Sequence, residues 1–147
     1  MKKLLIIALL ATTIATSAFA TDANKISFTI KNNFQREYAQ AEKVIWTLRP
    51  TFAKATFVYD GKTMEAFYTL GGESIGTSQV ISIDELPTNA KRNFAKKYSG
   101  YDVKEAIEFN GVDEHAYFIS AENEKEKVVL KVDAFNSVSV FKKEKKN

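Results

Sequence analysis

Asp60-Gly61 is the feature that most restricts what this chain can become. The pair lies between two runs of alternating polarity, Ala53 to Tyr59 and Lys62 to Leu70. Asp and Gly both tolerate the positive φ angles of a two-residue type I′ turn, so the segment is expected to form a tight antiparallel hairpin. A two-residue turn also sets the register. Phe57 falls across from Met64 and Ala55 from Ala66, with Tyr59 and Tyr68 on the same side. Successive strand side chains point to opposite faces. The apolar side should therefore lie under a helix, and Thr56, Val58, Thr63, Glu65, Phe67 and Thr69 should form the other face.

The remaining segments extend this pattern. Asn32 or Asn33 is expected to cap a helix reaching about Lys43, with Phe34, Tyr38, Ala41 and Ile45 as its apolar stripe. Val44–Leu48 reads as a strand that Pro50 stops. Gly71-Gly72 is a second turn, followed by a strand over 73–83 in which Gly76 suggests a bulge. Asp84-Glu85-Leu86-Pro87 enters a helix over 88–98 with Ala90, Phe94, Ala95 and Tyr98 facing inward and Gly100 ending it. Strands follow over 101–109, 114–121, 128–133 and 137–141, with Tyr117 and Ile119 inward and Phe118 outward. The basic tail Lys142-Lys143-Glu144-Lys145-Lys146 is expected to be a frayed, solvated terminus. Helix plus strands occurs twice, over about 30–83 and 84–142. Phe34 overlays Phe94, Tyr38 overlays Tyr98 and Phe57 overlays Tyr117. The expected class is α+β: an antiparallel sheet with two helices on one face, built by tandem duplication.

The N-terminus carries a different kind of information. Lys2 and Lys3 precede an uncharged apolar stretch over 4–14, and Ala18 and Ala20 make a small-x-small site. That is the three-part pattern of a secretory signal peptide, cleaved after about Ala20. The apolar stretch is about half the ~20 residues of a spanning helix. Residues 21–147 would then be a single domain, periplasmic or secreted, with no membrane span. The chain has no Cys, which excludes thiol chemistry, disulfides and a lipid-anchoring lipobox. Without Lys2 and Lys3 the formal net charge falls from +3 to +1. A nearly neutral domain offers no electrostatic case for nucleic acid.

Several segments together resemble a known family: Val44-Ile45-Trp46, Ala55-Thr56-Phe57, Asp60-Gly61-Lys62, Ala66-Phe67-Tyr68, Gly72-Glu73-Ser74-Ile75-Gly76, Glu85-Leu86-Pro87, Tyr101-Asp102-Val103, Ile107-Glu108-Phe109, Tyr117-Phe118-Ile119 and Leu130-Lys131-Val132-Asp133. In this order the chain resembles the PepSY-like, β-lactamase-inhibitor-like family of exported bacterial proteins over roughly residues 30–142. The resemblance implies helices on one side of an antiparallel sheet and an open opposite face. The namesake inhibitor uses such a face to bind a β-lactamase. No inhibitory motif carries over.

Chemistry-bearing residues are sparse. His115 is the single histidine and stands beside Glu114 and Asp113; with no Cys or second His it does not complete a transition-metal site. Glu65, Glu73, Asp84 and Glu85 read as solvated turn and strand carboxylates, not as a catalytic pair. Ser74 in Gly72–Gly76 has G-x-S-x-G spacing, but a strand, not a helix, is expected after it. No catalytic, cofactor-binding or metal residue is assigned. The expected partner-binding residues are Val58, Glu65, Phe67 and Phe118, on the face away from the helices. The expected function is an exported non-enzymatic binding or inhibitor-like module whose partner is an envelope protein. The alternative is an envelope small-ligand-binding or structural protein, and a carboxylate- or metal-dependent hydrolase is the third reading.

Overall fold

The computed structural model describes residues 22–147. The expected signal peptide and its cleavage site lie outside the described residues. Among the described residues the class is α+β, with eight strands and two α-helices, and all registered strand pairs are antiparallel. The chain forms two compact units, one ending at Ser78 and the other starting at Gln79. Within each, successive strands are neighbours in chain order.

The first unit has helix α1 (Phe28–Glu37) and strands β1 (Glu42–Leu48), β2 (Phe52–Tyr59), β3 (Lys62–Thr69) and the start of β4 (Ser74–Ile81). Helix α1 begins earlier than the asparagines suggest. Ser27 caps it: its Oγ accepts from the Ile30 N–H at 3.3 Å. Asn32 and Asn33 are interior. The helix stops at Glu37, well short of Lys43, and Tyr38 leaves helical geometry with φ −125°. The apolar repeat runs backward through Phe34 and Ile30 to Ile26, all buried, and Ile45 is exposed. A spacing of four from Phe34 fits both directions, and the serine cap decides between them.

The hairpin has the register that Asp60-Gly61 dictates: Phe57 pairs with Met64 and Ala55 with Ala66. Asp60 and Gly61 take φ of 50° and 74°. Ala53, Ala55, Phe57, Ala66, Tyr68 and Trp46 form the floor on which Ile26, Ile30 and Phe34 pack. The three alanines leave room for the helix's rings. Phe34 meets Phe57 edge-on at 4.9 Å and Trp46 at 5.2 Å, geometries that suit aromatic quadrupoles. Burial of a Phe side chain contributes about 1.5–3 kcal/mol, so this cluster accounts for much of the unit's stability. A bulge interrupts the β1–β2 ladder between Glu42 and Ile45, where Lys43 takes φ 54°.

The second unit starts with the end of β4 and a 3-10 turn, Ile83–Glu85, closed by a Ser82/Glu85 capping box. Helix α2 (Thr88–Tyr98) has the expected bounds. Four strands follow: β5 (Asp102–Gly111), β6 (His115–Glu122), β7 (Glu126–Val132) and β8 (Val138–Lys145). Leu86 and Ala90 are buried against Ile119, Leu130 and Val132, and Phe94 and Tyr98 pack on the cluster. Ala95 is exposed, contrary to the expected stripe. Five residues beyond Ala90, it has rotated about 140° around the axis.

The C-terminal segment also differs from expectation. Lys142 to Lys145 are not frayed; they pair with Val129 to Glu126 of β7. Lys143 Nζ lies 2.7 Å from Glu126 Oε2, and Lys146 Nζ 3.3 Å from Glu122 Oε1. The Glu122–Lys127 segment, expected as a loop, supplies these partners because β7 begins at Glu126.

Candidate binding face

In the first unit α1 covers one side of the strands, and the other side carries Lys54, Thr56, Val58, Glu65 and Phe67. The registers Lys54–Phe67, Thr56–Glu65 and Val58–Thr63 bring them onto one surface, and Ile45 joins across from Thr56. Its centre is an ion pair. Lys54 Nζ lies 2.6 Å from Glu65 Oε1, with side chains only 12% and 14% exposed. The Thr56 hydroxyl donates to the same oxygen at 3.4 Å and the Ser78 hydroxyl to Oε2 at 3.3 Å. Four polar side chains thereby satisfy one another in a setting where an unpaired charge would be costly. Around them, Ile45 is exposed and Val58 half-buried.

The expectation of an open face fails at its two aromatic residues. Phe67 is 1% exposed, with the Phe52 ring at 5.9 Å. Phe118, in the second unit, is fully buried and meets Phe141 edge-on at 5.5 Å. Strand alternation does place both away from the helix side, since Phe118 pairs with Ile107 and Lys131 while its neighbour Ile119 joins the α2 core. Alternation sorts residues between faces but says nothing of whether a face is covered. Of the four candidates, Val58 and Glu65 reach the surface in part, and Phe67 and Phe118 do not.

A second feature of the first unit has no counterpart in the sequence patterns. Asn33, Arg36 and Glu37 of α1 and Gly72, Glu73 and Ser74 of the β3–β4 turn border a groove of about 420 Å³ with Tyr68 at its base. Asn33 Nδ2 donates to the Gly72 carbonyl at 2.9 Å, tying helix to turn. Gly72 takes φ 99°, and a Cβ there would stand 2.8 Å from the Thr29 methyl. Gly71-Gly72 reads in the sequence only as a turn; the helix residue bonded to it, Asn33, lies 39 positions away, and the helix residues carry no motif.

The Tyr68 hydroxyl donates to Glu37 Oε2 at 3.2 Å. Burial, then the Glu37 charge and this hydrogen bond, push the phenol well above its ordinary value of 10.0. The neutral form is the one the fold favours. Its contribution is complete below pH 10 and disappears as pH rises above that value. Alkaline unfolding is therefore expected to start near pH 10, and Tyr68→Phe should flatten that limb. Thermal melts between pH 8 and 11 measure it, and parallel declines in parent and variant would refute the assignment.

The other candidates are engaged locally. Ser74 opens a strand, so its G-x-S-x-G spacing lacks the strand-to-helix turn of a nucleophile elbow. Glu85 Oε2 accepts from the Ser82 N–H at 2.6 Å. His115 Nε2 lies 2.9 Å from Glu108 Oε1, whose other oxygen accepts from Gln79 Nε2 at 2.7 Å. Among the described residues no three His, Asp or Glu side chains converge as metal ligands.

No protein-family model matches the chain, and no curated protein does. Solved structures do match. A BLIP-like protein from Bacteroides fragilis superposes with TM-score 0.69 at 18% identity, over 81% of this chain and 85% of its own. The chain has the BLIP-like fold. A DUF2874 family protein from Bacteroides ovatus gives TM-score 0.71 at 17% identity, over 80% and 86% of the two chains. A candidate periplasmic protein from Bacteroides eggerthii gives 0.72 at 15%, over 81% and 88%. At these identities the likeness establishes the BLIP-like fold alone. No helix among the described residues is long and apolar enough to cross a membrane.

Proposed function

We propose that this chain is an exported, non-enzymatic binding module. It docks an envelope protein on the strand face of the first unit turned away from α1. The observation that carries this reading is the composition of that face. A largely desolvated Lys54–Glu65 pair, whose carboxylate also accepts from Thr56 and Ser78, is bordered by exposed Ile45 and partly exposed Val58. Exposed apolar side chains beside an ordered charge pair offer a partner contact area and a fixed register. Phe67, on the same side, and Phe118 in the second unit are buried and contribute packing, not contact area. The N-terminal pattern of Lys2 to Ala20 and a periplasmic candidate among the structural neighbours support export.

The same reading includes an origin by duplication. Ile26 and Leu86, Ile30 and Ala90, Phe34 and Phe94, and Tyr38 and Tyr98 are each sixty residues apart, and each packs in the core cluster of its own unit. Bulges fall at Glu42/Ile45 and Val103/Glu105, again about sixty apart.

Capture from an envelope extract tests the docking face. Parent protein is expected to retain a discrete partner, and Ile45→Asp/Val58→Asp to lose it at unchanged thermal stability. Equal recovery by both would reject this face. The groove bordered by Arg36, Glu37 and Tyr68 favours a second reading, binding of a small polar ligand. Native mass spectrometry of the exported protein distinguishes the two, since a co-purifying small molecule supports only the second.

A further inference from the structure

Helix α2 is one-sided in charge. Lys91, Arg92, Lys96 and Lys97 are its only ionisable side chains apart from Tyr98, and it has no carboxylate. Lys91 Nζ donates to the Asp84 carbonyl. Arg92, Lys96 and Lys97 are exposed and have no carboxylate partner among the described residues. Lysines in a last turn favour the helix dipole, which explains Lys96 and Lys97 in part. The dipole does not explain Arg92, nor what lies beside it.

Asn93, next to Arg92 on the helix, donates through Nδ2 to the Asn136 carbonyl at 2.9 Å. This bond pins the β7–β8 turn against α2. The turn is built: Asp133 Oδ1 accepts from the Phe135 and Ser137 N–H groups, both at 2.9 Å, and Asn136 takes φ 62°. At its tip Phe135 is 89% exposed. Edge strand β8 continues the surface. Val140 pairs with Leu130, so it points to the α2 side, and it is exposed; Lys143, on the same side, is engaged by Glu126 and adds no free charge. Edge lysines also discourage strand-to-strand aggregation, but an ordered, exposed phenylalanine works against that purpose.

We propose that α2, the Phe135 turn and β8 form a peripheral membrane-binding surface for anionic phospholipid. Lysine and arginine attract a negatively charged headgroup layer without needing a fixed geometry. An aromatic ring and an aliphatic side chain presented beside them enter the boundary between headgroups and acyl chains. A folded acidic protein would complement the charge but would need a pocket shaped to the protruding Phe135 ring, whereas a fluid headgroup layer accepts the ring without one. The surface is built from residues of the second unit and does not depend on the docking reading.

The test is co-sedimentation of the protein recovered from the exported fraction with vesicles of phosphatidylcholine alone or mixed with phosphatidylglycerol. Binding to the mixed vesicles is expected to exceed binding to neutral ones by roughly tenfold and to fall steeply with salt. Arg92→Glu/Lys96→Glu/Lys97→Glu should abolish the difference, and Phe135→Ser should weaken binding several-fold at unchanged salt dependence. Lys31→Glu on α1 should change neither. If the triple variant does not fold, Arg92→Gln/Lys96→Gln/Lys97→Gln replaces it, with the same expectation. Equal binding to both vesicle types would overturn the proposal. So would full binding by the folded triple variant, or displacement by soluble polyglutamate as effective as displacement by anionic vesicles.

Discussion

Phe118→Ala is expected to lower the unfolding free energy by about 3–5 kcal/mol, read as a reduced denaturant midpoint at unchanged slope. Phe118 is fully buried between Ile107 and Lys131 on neighbouring strands, with Phe141 edge-on to its ring. Truncation removes the transfer free energy of the ring and leaves a cavity that strands on both sides prevent from closing. Phe118→Leu keeps most of the volume and should cost less than half as much. Phe118→Asp would place a charge in the same space and is expected to prevent folding of the second unit. An open docking residue would behave differently, since surface substitutions usually change stability within about 0.5 kcal/mol. A loss that small for Phe118→Ala would restore the open-face expectation and contradict the packing described above.

The second large effect concerns Lys54 and Glu65. Lys54→Met should destabilise the first unit by roughly 3 kcal/mol, because it leaves the Glu65 carboxylate desolvated with only two weak hydroxyl donors, Thr56 and Ser78. The pair need not itself be a net source of stability. Lys54→Met/Glu65→Leu, which removes both charges and keeps the volume, is expected to lie within about 1 kcal/mol of the parent. Urea melts of the four proteins in this double-mutant cycle measure the coupling. Additive losses in the double variant would show that the two side chains act through packing and not through their charges. If the face binds a protein, the double variant should be stable yet deficient in capture, separating the pair's role in recognition from its role in folding.

How far the sequence could be read depended on the range of the interactions concerned. The Asp60-Gly61 register was legible because a two-residue turn leaves no other pairing. Helix α2 was legible at both ends because Pro87 and Gly100 bracket it. Helix α1 was misplaced because two apolar repeats share Phe34, and the one that wins is fixed by Ile26 and Ile30 packing on β2 and β3. The C-terminal lysines looked like a solvated tail because Lys142 to Lys145 carry no apolar alternation to announce a strand, and their partners, Val129 to Glu126, come from another strand. The groove beside Tyr68 could not be read, since its residues come from a helix and a turn that only folding brings together.

Asp60-Gly61 marks the division between what the two levels decide. Local backbone preference made the hairpin, its register and the sorting of Phe57 from Phe67 properties of the sequence alone. The tertiary structure decided which positions meet water. Phe67 and Phe118 were correctly placed away from the helices, yet both are buried, while Ile45 and Phe135, which the apolar pattern would place inside or leave unremarked, are exposed. The physical reason is that backbone geometry assigns a side chain's direction within one or two residues, whereas burial is set by atoms far away in the chain that compete for the same space.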